Sequence, residues 1–104
     1  MKKVMLLAPE RLCDILRDAL EAKYKTLPCS DPSAAKELLL TEPDTLILSL
    51  ALPGTDGLTF LRENAAVLPL KVIALTVYFD DDILLELEDL GVSQLIRIPC
   101  NLRY

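Results

Sequence analysis

Histidine is absent from all 104 residues, and so is tryptophan. Without histidine the chain can build neither a Ser-His-Asp nor a Cys-His nucleophile system, and no imidazole can ligate a metal. Glycine is scarce, at three residues. Gly54 and Gly57 belong to no loop of the kind that ends in Gly-Lys-Ser/Thr and cradles phosphate. Basic residues are in the minority: 11 Lys and Arg face 16 Asp and Glu, for a net charge of −5. That balance argues against nucleic-acid binding by this domain, because phosphate contacts need clustered Lys and Arg. The cysteines Cys13, Cys29 and Cys100 are odd in number, widely spaced and without a CxxC pair. They read as buried free thiols in a reducing compartment and not as a zinc or redox site. No apolar run reaches the ~20 residues needed to span a bilayer. The start Met1-Lys2-Lys3-Val4 reads as a strand and not as a signal peptide, since its apolar run stops at Pro9-Glu10 with no small-residue cleavage site. The expectation is a cytoplasmic protein without membrane attachment.

What is present is a regular alternation of short apolar runs and helical patterns. About half of the residues, 52%, are hydrophobic, and the length suits one domain over residues 1–104. Strands are expected at Val4 to Ala8, Lys25 to Cys29, Thr45 to Leu50, Lys71 to Thr76 and Gln94 to Ile98. The second should lie at a sheet edge, since Pro28 removes a donor. Helices are expected between them. Arg11 to Tyr24 places Leu12, Ile15, Leu16, Ala19 and Leu20 at helical spacing. The next is capped by Ser30 or Asp31, has Pro32 in its first turn, and presents Ala35, Leu38 and Leu39. Gly57 to Ala66 presents Leu58, Leu61 and Ala65. The last begins at Asp80-Asp81-Asp82 and ends at Gly91, with Ile83, Leu84, Leu87 and Leu90 inward. The three aspartates read as a cap complementing the helix dipole. Glu86, Glu88 and Asp89 read as a solvated face. Tyr78-Phe79 reads either as a contact hot spot or as a packed loop.

Strands that are apolar on both faces and alternate with helices imply a parallel sheet covered on both sides. The fold class is therefore α/β. The expected architecture is a flavodoxin-like, doubly wound, five-stranded sheet of order 2-1-3-4-5. Ligands in such folds bind at the carboxyl ends of the strands, here Ala8-Pro9-Glu10, Ser49, Thr76 and Ile98-Pro99.

The segment from Pro43 to Gly57, a strand running into Leu52-Pro53-Gly54-Thr55-Asp56-Gly57, resembles the third strand and loop of response-regulator receiver domains. Val72 to Thr76 and Leu90 to Cys100 extend that resemblance to nearly the whole chain. It implies a CheY-like fold and places the family's site residues. The acidic pair that helps to hold Mg²⁺ falls on Ala8 and Pro9, and the phosphoacceptor aspartate on Ser49. The conserved hydroxyl falls on Thr76, the lysine on Ile98, and the aromatic switch position on Leu95. Of these, only the hydroxyl is kept. Mg²⁺ is a hard cation that wants carboxylate oxygens, and Ala8 and Pro9 offer none. Ser49 lacks a base to activate it. Ile98 puts an apolar side chain where a cation should offset phosphoryl charge. The resemblance also suggests a cis Ile98–Pro99 bond.

Receivers end in a fifth helix, whereas this chain stops at Asn101-Leu102-Arg103-Tyr104. Without that helix, one face of the strands at Thr45–Leu50 and Val72–Thr76 should be open. A homodimer, a longer natural protein or a rearranged packing would cover it. The resulting expectation is a pseudo-receiver: a non-enzymatic signalling module with no metal or cofactor, acting through a protein partner or as a homodimer, with no cognate histidine kinase. Two alternatives stand beside it. One is a two-component receiver retaining atypical phosphorylation, with a DNA-binding output domain beyond residue 104. The other is a flavodoxin-like small-molecule-binding domain.

Overall fold

A computed structural model of the chain describes residues 2–52, 54–77 and 80–98. The cis bond expected at Ile98–Pro99, the Tyr78-Phe79 contact, the Cys100 thiol and the final turn at 101–104 lie outside the described residues. The first strand, β1 (Lys3–Leu7), leads into α1 (Glu10–Leu20) and β2 (Lys25–Cys29). Then follow α2 (Pro32–Leu39), β3 (Thr45–Ser49), and a small hairpin of β4 (Ala51–Leu52) and β5 (Thr55–Asp56). The chain continues through α3 (Gly57–Glu63), a 3₁₀ turn at Ala65–Val67, β6 (Lys71–Thr76), α4 (Asp81–Asp89) and β7 (Gln94–Arg97).

The five long strands form one parallel sheet in the order β2-β1-β3-β6-β7, which is the expected 2-1-3-4-5 order once the hairpin is set aside. β2 is at an edge, as Pro28 requires. On one face Met5, Leu7, Leu46, Leu48, Val72 and Ala74 pack against Ala35 and Leu39 of α2, Phe60 and Leu61 of α3, and Leu87 of α4. On the other, Val4, Leu6 and Ala8 pack against Cys13, Leu12 and Leu16 of α1. This split follows from the two-residue period of a strand.

Local chemistry sets the element ends. The Asp31 carboxylate accepts from Ser33 N at 2.9 Å, with Pro32 in the first turn. Asp56 caps α3 by accepting from Thr59 N at 2.6 Å, and Asp80 caps α4 by accepting from Ile83 N at 2.9 Å. Gly91, at φ +87°, ends α4 in the left-handed conformation that glycine adopts most easily.

Several expectations are corrected. α1 ends at Leu20, short of Tyr24, and Tyr24 N turns back to Leu20 O at 3.0 Å. On α1 it is Cys13 that is buried, while Ile15 is 44% exposed and Ala19 is exposed. α3 stops at Glu63, because Asn64 Nδ2 donates to Phe60 O at 2.9 Å and the chain tightens into the 3₁₀ turn. Its buried positions are Gly57, Phe60 and Leu61, and Ala65 is exposed. Glu86 belongs to no free solvated face, since it receives both Arg62 Nε and, at 2.8 Å, Arg62 Nη2. This fork joins α3 to α4. The open sheet face is partly filled: Leu75 is 6% exposed and Ile47 and Ile73 are half-buried, but Ile96 of β7 is 40% exposed.

Candidate functional site

Parallel strands bring their carboxyl ends to one edge of the sheet, and the register fixes what meets there. Leu7 lies beside Leu48, Ser49 beside Leu75, and Thr76 beside Arg97. Ala8 and Pro9 therefore follow β1, Ser49 ends β3, Thr76 ends β6, and Ile98 follows β7, all along this edge. Ala8 is fully buried, Ser49 is 5% exposed and Thr76 is 9% exposed, while Pro9 and Ile98 are half-buried. Leu95 packs into the core face shared with α4.

Backbone groups and the Ser49 hydroxyl at this edge are engaged in closing the fold. Ser49 Oγ donates to Ala51 O at 2.9 Å and accepts from Ala51 N at 3.1 Å. Its single proton is thus committed to a carbonyl two residues on, a local side-chain-to-backbone closure common for serine. Leu50 N donates to Leu75 O, and Gly57 N returns to Leu50 O, both at 2.9 Å. The return is so close that a Cβ on Gly57 would sit 2.5 Å from Ser49 O and 2.9 Å from Leu50 Cα. Only glycine admits this approach. Ile98 N donates to Thr76 O at 2.7 Å. Ala8 N donates to Cys29 O at 3.2 Å, and Cys13 Sγ lies 3.3 Å from Ala8 O. Burial pushes the Cys13 thiol pKa up, so it is a poor thiolate at neutral pH. Cys29 is free and half-buried, and its thiol faces Asp31 O at 3.1 Å.

The edge does not suit a hard divalent cation. Its side chains at Ala8, Pro9, Ser49, Thr76 and Ile98 hold two hydroxyls and no carboxylate, and the Ser49 hydroxyl is already bonded. Among the described residues no group of three or more His, Cys, Asp or Glu is arranged to hold a metal. Pro9 occupies the cap position of α1 without a side-chain hydrogen bond. Asp56 is held below its ordinary pKa by the Thr59 backbone N–H, and it is spent on capping α3.

Sequence reasoning missed three features. The β4–β5 hairpin carries Ser49's hydrogen-bond partner, and two-residue strands leave no readable period. Gly57's close approach had a signal in its position just after a strand and turn. A groove of about 440 Å³ lies at the other end of the sheet, where Pro43 precedes β3 and Pro69 precedes β6. None of the strand-end positions lines it. No helix among the described residues is long and apolar enough to cross a membrane.

No protein-family model matches the chain. Among curated proteins it is similar to the protein-glutamate methylesterase/protein-glutamine glutaminase 3 of Rhodopseudomonas palustris, at 34% identity over 73 residues, covering 67% of the chain and 20% of that protein. It is also similar to the hydrogenase transcriptional regulatory protein HoxA of Cupriavidus necator, at 34% identity over 89 residues, covering 83% of the chain and 18% of that protein. The chain thus spans about a fifth of the length of these relatives. Among solved structures, the non-phosphorylated HemR receiver domain from Leptospira biflexa superposes with a TM-score of 0.86 at 23% identity, over 99% of this chain and 86% of that one. The beryllofluoride-activated receiver domain of Klebsiella pneumoniae RstA superposes with a TM-score of 0.76 at 25% identity, over 96% of this chain and 89% of that one. The chain therefore carries the CheY-like, flavodoxin-like fold of response-regulator receiver domains.

Proposed function

We propose that this chain is a receiver-family domain that acts by protein contact and takes no phosphoryl group. The observation that carries the reading is the state of Ser49. It stands where receivers resembling this chain have the acceptor aspartate, and its hydroxyl is closed onto Ala51 at 2.9 and 3.1 Å. Attack by Ser49 needs that hydroxyl freed and deprotonated, and no imidazole exists in the chain to do it. Ala8 and Pro9 supply no charge to a metal, and Ile98 supplies none to a phosphoryl oxygen. Leu95, already packed in the core face, replaces the aromatic that would follow Thr76. In this reading residues 1–104 form one module, its output is carried by a partner protein or a second copy, and no histidine kinase serves it.

The relatives favour one further statement. Both are several times longer than the aligned region, so the module fits best as the regulatory part of a larger regulator. Beryllofluoride with Mg²⁺ tests the central reading by amide NMR. The expected result is no shift at Ser49, Thr76 or Leu95. Saturable shifts at those amides, which imply a pocket competent to hold a phosphoryl group, overturn it.

A further inference from the structure

We infer that the end of the sheet opposite Ser49 is a self-docking edge, at which a second copy of this chain inserts Leu70 into the groove beside α2. The inference rests on the protein-contact half of the reading above and is independent of its phosphoryl half. The groove, about 440 Å³, is lined by Leu40, Val67, Leu68, Pro69 and Glu42. Two of these are apolar and exposed, Leu40 at 71% and Val67 at 45%, and Leu70, immediately beyond Pro69, is 98% exposed. Single exposed leucines are ordinary, but a cluster bordering a concavity marks a contact surface. These exposures exceed the 40% of Ile96 on the open sheet face.

Charge selects the occupant. Glu42 is held at φ +56°, a conformation that L residues other than Asn and Asp seldom adopt, and Pro43 restricts it further. Glycine would fit there at lower cost, yet the position holds a carboxylate at the groove rim. The neighbouring charges are engaged: Lys3 Nζ donates to Thr41 O at 2.6 Å, and Asp44 accepts from Lys3 N at 2.7 Å. Among the described residues Glu42 has no side-chain hydrogen bond or ion pair. The wanted ligand is thus an aliphatic side chain with a cation next to it. The same edge supplies that pair in Leu70 and Lys71, both exposed and adjacent in sequence. A knob and a hole on one edge suit a two-fold contact, with Leu70 of each copy in the groove of the other and each Lys71 meeting the other's Glu42.

Sedimentation equilibrium at physiological salt, from about ten to several hundred micromolar, tests this with the whole chain. The wild type should dimerise. Leu70→Ser should raise the dimer Kd by about tenfold or more, because a buried leucine supplies much of such a contact. Leu70 is 98% exposed, so this variant should leave the fold intact, and an unchanged circular dichroism spectrum is the check. Glu42→Lys and Lys71→Glu should each weaken association by about threefold or more, and the double exchange should restore it. Three results would overturn the inference: a wild type that stays monomeric, association lost with Ile96→Ser but kept with Leu70→Ser, or a double exchange that fails to rescue. A monomer would leave the beryllofluoride experiment, and the reading it tests, untouched.

Discussion

Gly57→Ala places one methyl group against the loop that closes on Ser49, and the structure allows its cost to be worked out. The new Cβ would lie 2.5 Å from Ser49 O, 2.9 Å from Leu50 Cα and 3.2 Å from Leu48 Cδ1. Two of these three neighbours are backbone atoms of β3 and its exit, so no rotamer change relieves the clash. Either the Gly57–Leu50 hydrogen bond lengthens from 2.9 Å, or the end of β3 shifts. Overpacking of this kind costs about 1–3 kcal/mol. The helix propensity of alanine at the start of α3 returns about 0.5–1 kcal/mol at most. A net loss of roughly 1–2 kcal/mol should lower Tm by about 4–16 °C in a domain this size. Urea unfolding gives the free energy directly, with Gly91→Ala as the control. A Cβ at Gly91 meets nothing within 4 Å, so its cost is backbone strain alone, about 1 kcal/mol. If Gly57→Ala were as stable as wild type, the close approach would be wrong, and with it the account of how Ser49 is held.

Two further outcomes follow from the same contacts. Glu42→Gly removes a left-handed glutamate and should stabilise the monomer by about 0.5–1 kcal/mol, the difference between relieved strain and glycine's entropy; a lower urea midpoint would contradict this. Asp56→Ala deletes the α3 cap and should cost about 1 kcal/mol at neutral pH. The Asp56 pKa is depressed in the folded chain, so its charge-dependent contribution is present above the unfolded value of 3.8 and is lost as pH falls through the lower folded value. That contribution is modest because the side chain is exposed. The gap between wild type and Asp56→Ala should therefore narrow in acid, and a gap that widens there would refute the capping account.

Strand order and edge placement were legible because they rest on composition. Lys71–Thr76 is apolar on both faces and bounded by Pro69 and an aspartate-rich cap, and it appears where expected. The α2 and α4 starts were legible through Asp31 and Asp80, whose side chains bond to the nearest free N–H groups. Side-chain partners between elements were not. Arg62 and Glu86 are 24 positions apart, and nothing local foretells that α3 and α4 bring them together. Cys13 takes the buried position on α1, its thiol 3.3 Å from Ala8 O, while Ile15 is 44% exposed. The Ser49 position could be read from the strand and turn around it. The closure of its hydroxyl onto Ala51 depends on the bend at Leu50, which residue types alone do not specify. The groove was illegible for a related reason: Leu40 and Val67 belong to elements that sequence places far apart and the parallel crossovers bring to one edge.

The most direct test of the central claim is intact-mass spectrometry of the chain after incubation with acetyl phosphate and Mg²⁺, for wild type and Ser49→Asp. The account predicts no phosphoryl adduct on either. The aspartate variant regains an acceptor but still has Ala8 and Pro9 in place of metal ligands and Ile98 in place of a cation. A stable adduct mapped to Ser49 in the wild type would contradict the account outright. An adduct on Ser49→Asp alone would show that the acceptor was the only part of the chemistry lost.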